Sequence, residues 1–218
     1  MAIPSQRPVR DAGPATLSAA PATTAPQRDN LEFLRGFLRN PAQVGSVIPS
    51  SHRLEQRLVR SAKVASARTV VELGPGTGGT TAALLQAMPA GARLLAIELD
   101  PTFHQHLMQM LHDPRLFLEV GSAERLAEFV AARRLPAPDA IVSGIPFSTM
   151  PADVADAIAR SVAATLRPGG RFVAYQVRAH VAAYTTPHLG VPDRQWELVN
   201  IPPVRVFTWT KADSSSAS

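Results

Sequence analysis

Short apolar runs alternate with longer amphipathic stretches through most of the chain, a pattern typical of alternating strands and helices. Most of these runs are bounded by Gly, Pro, Asp or Asn, which favour turns. We predict, in order, strand 93–98, helix 101–111, strand 115–120, helix 123–133, strand 138–143, helix 151–166 and strand 170–177. Such alternation predicts a parallel sheet with helices on both of its faces.

The chain that follows the alternating region reads differently. Residues 195–201 and 205–210 form two further apolar runs, joined by Pro202 and Pro203. Two strands separated by so short a connection return on each other, so we predict a terminal hairpin. A polar tail follows it.

The first strand leads into the densest glycine cluster of the chain. Val70-Val71-Glu72 precedes the turn Gly74-Pro75-Gly76-Thr77-Gly78, which opens an apolar helix from Thr80 to Met88. Glycines at alternate positions let a backbone approach a ligand closely, and a helix N-terminus favours anionic or polar groups. Glu98 ends the next strand, where a carboxylate can accept hydrogen bonds from ribose hydroxyls. The glycines and Glu98 would also fit a nicotinamide-dinucleotide site, but such a site does not need Glu72.

The composition excludes several kinds of chemistry. The 218 residues contain no cysteine, so disulfides, thiolate catalysis and thiolate metal sites are excluded. The six histidines form no clear metal motif, and we expect no metal. The longest uncharged run, 73–92, holds five glycines and two prolines, so it is not a membrane span. No apolar stretch follows Arg7 and Arg10, so we expect a cytoplasmic protein without a secretory signal.

Composition and charge divide the chain into four segments. We expect a disordered tail, a basic amphipathic helical segment, a folded domain and a second disordered tail, over residues 1–27, 28–66, 67–211 and 212–218. The net charge of +5 is concentrated, because residues 28–68 carry eight Lys or Arg against three acids. This polarity predicts an anionic partner.

Two amphipathic helices are predicted in the basic segment. The first begins near Leu31 and is ended by Pro41. Its apolar and basic faces would carry Leu31, Leu34, Phe37 and Leu38 on one side and Arg35 and Arg39 on the other. An apolar face flanked by arginines suits an anionic bilayer surface, although it would also suit packing on the core. The second helix covers about 52–65, with Ser50 or Ser51 as its N-cap. Its inward positions would be Leu54, Leu58 and Ala62.

The glycine turn and the second acid together carry a family resemblance. The motif ELGPGTG at 72–78, followed by AIELD at 96–100, resembles the class I S-adenosylmethionine-dependent methyltransferases. The resemblance implies a Rossmann-like α/β fold: a seven-stranded sheet with an antiparallel last strand and helices on both faces, here with an N-terminal amphipathic helical extension. It implies S-adenosylmethionine as cofactor, with Glu72 serving the methionine end and Glu98 the ribose. The implied cofactor-binding residues are Pro49, Ser50, Ser51, Glu72, Gly74, Pro75, Gly76, Thr77, Gly78, Glu98, Leu99, Gly121, Ser122, Ala123, Ser143 and Gly144.

Two later loops carry further candidate site residues. Members of this family commonly have Gly-Asp-Ala after the third strand, where the aspartate accepts from the adenine amino group. This chain has Gly-Ser-Ala at 121–123, so Ser122 or Glu124 would have to accept that hydrogen bond, and an N-cap role for Ser122 is equally compatible. In the amino-methylating families the loop after the fourth strand offers carbonyls to the substrate nitrogen. That makes Ile145, Pro146 and Phe147 the candidate substrate-binding residues, with a simple turn as the alternative.

The candidate catalytic residues rest on position alone. Methyl transfer to an amine depends mainly on positioning and on exclusion of water. An ammonium substrate must first lose a proton. Tyr175 and His180, at and after the end of the fifth strand, are candidate proton acceptors, although either would serve equally as a packing or surface residue. A cationic product favours aromatic walls, for which the candidates are Phe147, Tyr175, Tyr184 and Trp196.

A longer motif narrows the resemblance. The pattern FLRxFLxNPxxVGSVxPSS over residues 33–51, ahead of the glycine turn, resembles the bacterial phospholipid N-methyltransferases, and specifically the soluble type that methylates phosphatidylethanolamine. In those enzymes the N-terminal helix docks on the membrane and the Pro-Ser-Ser loop closes over the cofactor. The resemblance implies methylation of phosphatidylethanolamine towards phosphatidylcholine by a peripheral protein of the inner membrane. Its partners would be the phospholipid substrate and the anionic membrane surface.

Two other functions stay open on the sequence. The loop 145–147 is similar to the Leu-Pro-Tyr loop of the ribosomal RNA adenine dimethylases, and the basic segment would suit phosphates. Against RNA methylation, the motif lacks the preceding Asn, and we expect no helical RNA-binding domain after Lys211, so no nucleic acid partner is favoured. The third function is a non-catalytic, membrane-binding Rossmann module. The intact Glu72, Gly74, Gly76, Gly78 and Glu98 oppose it.

Overall fold

The computed structural model describes residues 51–200 and 202–213. Several predictions lie outside these residues: the tail 1–27, the loop residues Pro49 and Ser50, and most of the tail 212–218. The predicted docking helix lies outside them as well, with Leu31, Leu34, Arg35, Phe37, Leu38 and Arg39.

The described residues fold into alternating strands and helices, as the pattern of apolar positions predicts. The helices are α1 (His52–Ser61), α2 (Gly79–Ala87), α3 (Pro101–Met110), α4 (Leu126–Ala132), α5 (Ala152–Thr165) and α6 (His180–Leu189). The strands are β1 (Thr69–Leu73), β2 (Arg93–Glu98), β3 (Leu116–Val120), β4 (Ala140–Ser143), β5 (Arg171–Gln176), β6 (Asp193–Glu197) and β7 (Val204–Thr210).

The seven strands form one sheet in the order β3-β2-β1-β4-β5-β7-β6. The first five strands pair in parallel. β7 is antiparallel to both of its neighbours, β5 and β6. The predicted fold class is therefore confirmed, including the terminal hairpin.

Side-chain alternation along the central strands divides the core between the two faces of the sheet. On one face, Val71 and Leu73 of β1 pack with apolar residues of α4, α5 and α6. On the other face, Val70 packs with Leu54 and Leu58 of α1 and with residues of α2. All five residues of β1 are buried, so this strand lies at the centre of the domain.

Four local predictions differ from the structure. The first strand of the terminal hairpin, predicted over 195–201, covers Asp193–Glu197 instead. α1 ends at Ser61 rather than near 65, because Lys63 adopts a left-handed backbone with φ of 52°. The predicted helix 123–133 begins as a 3-10 turn over Ala123–Arg125. Helix α6 was not predicted: its Thr residues and Pro187 are weak helix formers, and the burial of Val181 and Ala182 in the apolar core stabilises it instead.

The directions of the strands decide which loops meet. Because β1, β2, β3, β4 and β5 are parallel, the loops at their carboxyl ends share one edge of the sheet. The turn between β6 and β7 also lies at this edge, since β7 runs back alongside β5 from Gln176. In open α/β sheets this is the edge at which ligands bind.

Candidate cofactor and substrate site

The glycine turn is built as a close-approach loop at the end of β1. The φ values of Gly74, Gly76 and Gly78 are 72°, 55° and 88°, which residues with a side chain rarely adopt. The loop is fixed to β2 by a hydrogen bond from the Gly74 N–H to the Ile97 carbonyl at 3.0 Å. A Cβ on Gly78 would lie 2.6 Å from Leu107, whereas a Cβ on Gly76 would meet no atom within 4 Å. Gly76 therefore presents a bare backbone to open space where a ligand can lie.

Glu98 binds the backbone of this loop. Its Oε2 accepts from the Gly76 N–H and its Oε1 from the Asp100 N–H, both at 3.0 Å. Burial raises the pKa of Glu98 above its ordinary value, and the backbone hydrogen bonds offset part of that rise. Each carboxylate oxygen has a second lone pair. The arrangement therefore leaves acceptor capacity for hydroxyl groups of a ligand beside Gly76.

Glu72 lies at the carboxyl end of β1 and is 2% exposed. Burial raises the pKa of Glu72 to about 8; the Thr81 hydroxyl lowers it and the Glu98 charge raises it further. Among the described residues, neither Oε2 of Glu72 nor Oγ1 of Thr81 makes a well-formed hydrogen bond. An unsatisfied buried carboxylate is costly, so this group is suited to a polar or cationic partner from outside the protein.

Helix α1 lies against the start of α2, the helix opened by the glycine turn. A Cβ on Gly79 would lie 2.7 Å from Oε1 of Glu55, so the two helices touch at this point. Ser51 caps α1, because its hydroxyl accepts from the Leu54 N–H at 3.2 Å. This confirms Ser51 as the N-cap of α1. Glu55 could not be singled out from the sequence, because its contact with Gly79 depends on the packing of two helices.

Gly121-Ser122-Ala123 follows β3 at the same edge. The Gly121 N–H donates to the carbonyl of Glu98 at 2.9 Å, which fixes this loop beside the ribose candidate. The Ser122 hydroxyl donates to Oε2 of Glu124 at 2.8 Å and also caps the 3-10 turn that follows. Two acceptors were considered for an adenine amino group, Ser122 and Glu124. The Glu124 carboxylate is the better candidate, because the Ser122 hydroxyl already donates to Glu124 and accepts from its N–H.

The loop after β4 lies against the glycine turn. The Gly144 N–H donates to the Leu73 carbonyl at 3.0 Å, and a Cβ on Gly144 would lie 3.0 Å from the Gly74 carbonyl oxygen. The carbonyl of Ile145 accepts from Nε2 of Gln176 at 2.6 Å, and that of Pro146 accepts from the Thr149 hydroxyl at 2.8 Å. Each of these two carbonyls also accepts a backbone N–H, from Phe147 and from Thr149, so both of its lone pairs are engaged. They are therefore not free to accept from a substrate nitrogen.

Phe147 lies elsewhere than predicted. The loop turns after Pro146, where the Phe147 N–H donates to the Ile145 carbonyl, and the ring enters the core with 1% of its surface exposed. It therefore packs with Met150 and Val154 rather than forming a substrate wall.

Two other proposed wall residues also lie away from the glycine turn. Trp196 lies on the edge strand β6, and Tyr184 packs on the core from α6. Ring type and sequence position did not reveal these orientations, which depend on tertiary packing.

Tyr175 is an aromatic residue that contacts one of the loops of the site. A Cβ on Gly144 would lie 2.6 Å from the Tyr175 hydroxyl, so this phenol packs directly on the loop after β4. His180 is the exposed first residue of α6, four residues beyond the end of β5. The structure thus places Tyr175 at the junction of the Gly74 and Gly144 loops, and His180 at the surface of the same sheet edge.

The described residues contain neither a candidate metal site nor a candidate membrane span. Within residues 51–200 and 202–213, no three His, Asp or Glu side chains cluster in a way that could hold a metal ion. None of the helices described is both long enough and apolar enough to cross a bilayer.

The chain is similar in sequence to known methyltransferases. Residues 70–170 match a family model described as a methyltransferase domain. The chain is 31% identical over 146 residues to the ornithine lipid N-methyltransferase of Singulisphaera acidiphila. The matched region covers 66% of this chain and 76% of that protein. It is 33% identical over 148 residues to the ribosomal RNA small subunit methyltransferase A of Nocardia farcinica, but there it spans only 47% of the relative.

Solved structures show the same fold. The O-methyltransferase TomG of Streptomyces achromogenes, solved in complex with S-adenosylmethionine, has a TM-score of 0.61 at 16% identity, over 85% of this chain and 90% of that one. The 1,6-didemethyltoxoflavin-N1-methyltransferase of Burkholderia thailandensis, solved with S-adenosylhomocysteine, has a TM-score of 0.60 at 18% identity, over 90% and 94%. At these identities the likeness concerns the fold alone.

The fold, the site and these relatives define the class. The chain belongs to the class I S-adenosylmethionine-dependent methyltransferases. It is an enzyme, and its cofactor is S-adenosylmethionine, as predicted. The residues present fit that cofactor: Gly76 leaves open space, Glu98 keeps acceptor capacity beside it, and Glu72 is a buried carboxylate with an unsatisfied oxygen.

Proposed function

We propose that this enzyme methylates the amine headgroup of a membrane lipid, acting as a peripheral protein at the inner surface of the membrane. The observation that carries the proposal is the similarity to a lipid N-methyltransferase, which extends over 76% of that relative. Phosphatidylethanolamine is the acceptor expected from the sequence resemblance, and ornithine lipid is the acceptor named for the relative. Both present an amine to the cofactor.

Methyl transfer requires the protein mainly to position the methyl donor and the amine. When bound, S-adenosylmethionine would supply an electrophilic methyl carbon to the nitrogen lone pair, and the electrons of the broken carbon–sulfur bond would go to sulfur, giving S-adenosylhomocysteine. We assign Glu98 and the bare backbone at Gly76 to hold the cofactor, with Glu72 facing its cationic methionine end. The loop Ser143–Pro146 would hold the amine in line, where exclusion of water and correct orientation supply most of the rate.

A protonated amine must lose a proton before it can attack. Tyr175 is our first candidate for the path of that proton, because its hydroxyl touches the Gly144 loop. His180, exposed at the start of α6, is the second candidate and would pass the proton to solvent. A Tyr175→Phe variant that keeps its affinity for the cofactor but loses turnover at low pH would support the first assignment. Full activity at every pH would reject it.

Methylation of RNA is the second candidate function. It is favoured by the similarity to a ribosomal RNA methyltransferase, which is 33% identical but of which the chain spans only 47%. The same cofactor site would serve either acceptor, so the amine substrate alone separates the two functions.

The deciding experiment uses cofactor labelled in its methyl group. The full-length protein would be incubated separately with vesicles containing phosphatidylethanolamine, with vesicles containing ornithine lipid, and with total RNA. We expect label in one or both lipids and none in RNA. The Glu98→Ala variant is the control for cofactor-dependent labelling. Label in RNA with unlabelled lipid would replace the lipid proposal by the RNA function.

A further inference from the structure

The turn between β6 and β7 exposes several large apolar side chains at the edge of the sheet where the cofactor site lies. Trp196, Leu198 and Val199 have 51%, 70% and 53% of their surface exposed. Val177 follows the carboxyl end of the neighbouring strand β5 and is 43% exposed. Single exposed apolar residues are ordinary, but a group of them at one edge marks a contact surface. We call residues 196–200 the hairpin tip.

The hairpin tip is held in place by polar contacts. Asn200 is 3% exposed; its Oδ1 accepts from the Ser51 N–H at 3.1 Å and its Nδ2 donates to the Pro202 carbonyl at 3.1 Å. Beside it, Oε1 of Glu197 accepts from the Val199 N–H at 3.3 Å. These bonds fix the backbone on both sides of Leu198 and Val199. The two side chains therefore point outward from a pinned turn, so their exposure is a property of the folded hairpin.

Arginines surround the tip. The guanidinium of Arg205 lies over the Trp196 ring, 4.4 Å from its centroid. Arg57 donates to Oε2 of Glu197 at 2.8 Å, and this hydrogen bond, helped by the charge of Arg53, holds the pKa of Glu197 below its ordinary value. Arg53 and Arg57 therefore act on the Glu197 carboxylate, while Arg205 lies against the Trp196 ring.

The positive charge continues away from the tip. A cleft of about 310 Å³ lies between α1 and the β6–β7 hairpin, and Arg57, Arg60 and Arg171 are among the residues that line it. An apolar tip with a basic surround is complementary to a bilayer, in which apolar chains lie beneath a layer of phosphates.

We infer that the hairpin tip inserts into an anionic bilayer surface, with Leu198 and Val199 entering the acyl boundary and Arg53 and Arg205 meeting the lipid phosphates. The inference rests on the proposed lipid function and adds a docking element to it. Because the tip lies at the cofactor edge of the sheet, docking there would turn the mouth of the site towards the headgroups. The Asn200–Ser51 hydrogen bond would join the docked tip to the segment that precedes α1.

The test compares two aspartate substitutions by vesicle co-sedimentation. The test variant is Leu198→Asp with Val199→Asp. Val191→Asp is the control, and Leu198→Asp alone is measured beside it because the two add the same charge. Val191 is 82% exposed but precedes β6, at the opposite edge of the sheet. With vesicles containing phosphatidylglycerol and phosphatidylethanolamine, we expect the tip variant to lose binding by at least about tenfold, since each inserted side chain contributes about that much. The control should bind vesicles like the wild type, and high salt should weaken the vesicle binding of every protein compared.

Melting temperature and cofactor affinity of the tip variant should match the wild type, because both substituted side chains are exposed. Equal sedimentation of wild type and tip variant would overturn the inference, as would an equal loss in Val191→Asp. A tip variant that sediments normally but changes oligomeric state would assign the surface to a second copy of the chain instead. Methylation of detergent-dispersed lipid by the wild type is the separate test of function: if it persists while the tip proves irrelevant to binding, only the docking inference fails.

Discussion

Replacing Glu72 with glutamine should stabilise the cofactor-free protein above neutral pH. The carboxyl of Glu72 is buried at the end of β1, and burial raises its pKa from 4.5 to about 8. The folded protein therefore holds this proton more tightly than the unfolded chain does. Stability is highest below the unfolded pKa and falls as the pH rises from about 4.5 to about 8, because ionisation then favours the unfolded chain. Glutamine has the same shape and removes this dependence.

The size of the effect follows from the shift in pKa. A rise from 4.5 to about 8 corresponds to about 5 kcal/mol of lost stability at high pH if the site stays dry and rigid. Entry of water or local opening would reduce this figure, so we expect a difference of several kcal/mol. Glutamine also keeps a polar group within reach of the Thr81 hydroxyl, the side chain that lowers the pKa of Glu72.

Urea unfolding at a series of pH values measures the difference. The free energy of unfolding of the wild type should fall relative to Glu72→Gln between about pH 5 and pH 8.5. Glu128→Gln, which removes an exposed carboxylate on α4, is the control and should follow the wild type. Glu72→Gln should also bind cofactor more weakly. If wild type and Glu72→Gln gave parallel stability profiles, the carboxyl would be ionised and solvated, and our account of the site would be wrong.

Three further predictions concern other parts of the chain. Glu98→Ala should weaken cofactor binding by about 1.5–3 kcal/mol without unfolding the domain; unchanged affinity by calorimetry would remove Glu98 from the site. Gly76→Ala should fold, since its Cβ meets no atom within 4 Å, at a cost of about 1–2 kcal/mol for its φ of 55°, yet lose cofactor binding. A well-folded variant that still binds would mean that the cofactor lies elsewhere; valine is the poorer test, because β-branching adds strain. Reversing Arg35 and Arg39 to Glu should reduce sedimentation with anionic vesicles, each arginine contributing about 1 kcal/mol, and leave cofactor affinity unchanged; equal sedimentation would argue against docking by this segment.

The sequence by itself determined the class of the protein. The fold follows from the order of apolar runs and amphipathic stretches, because burial on both faces of a sheet requires that alternation. The glycine turn and the acids Glu72 and Glu98 were recognisable because their chemistry is local: positive φ requires glycine, and a carboxylate at a strand end is placed by the strand itself. The Ser51 cap was visible for the same reason.

Only the tertiary structure decided the features that depend on distant contacts. Phe147 follows the loop motif directly, yet its ring is buried in the apolar core with residues of distant elements. The engagement of the Ile145 carbonyl by Gln176 joins residues 31 positions apart, and the Asn200–Ser51 bond joins residues 149 positions apart. Periodicity and spacing along a chain carry no record of such partners. They arise when strand order and direction bring separate loops to one edge of the sheet.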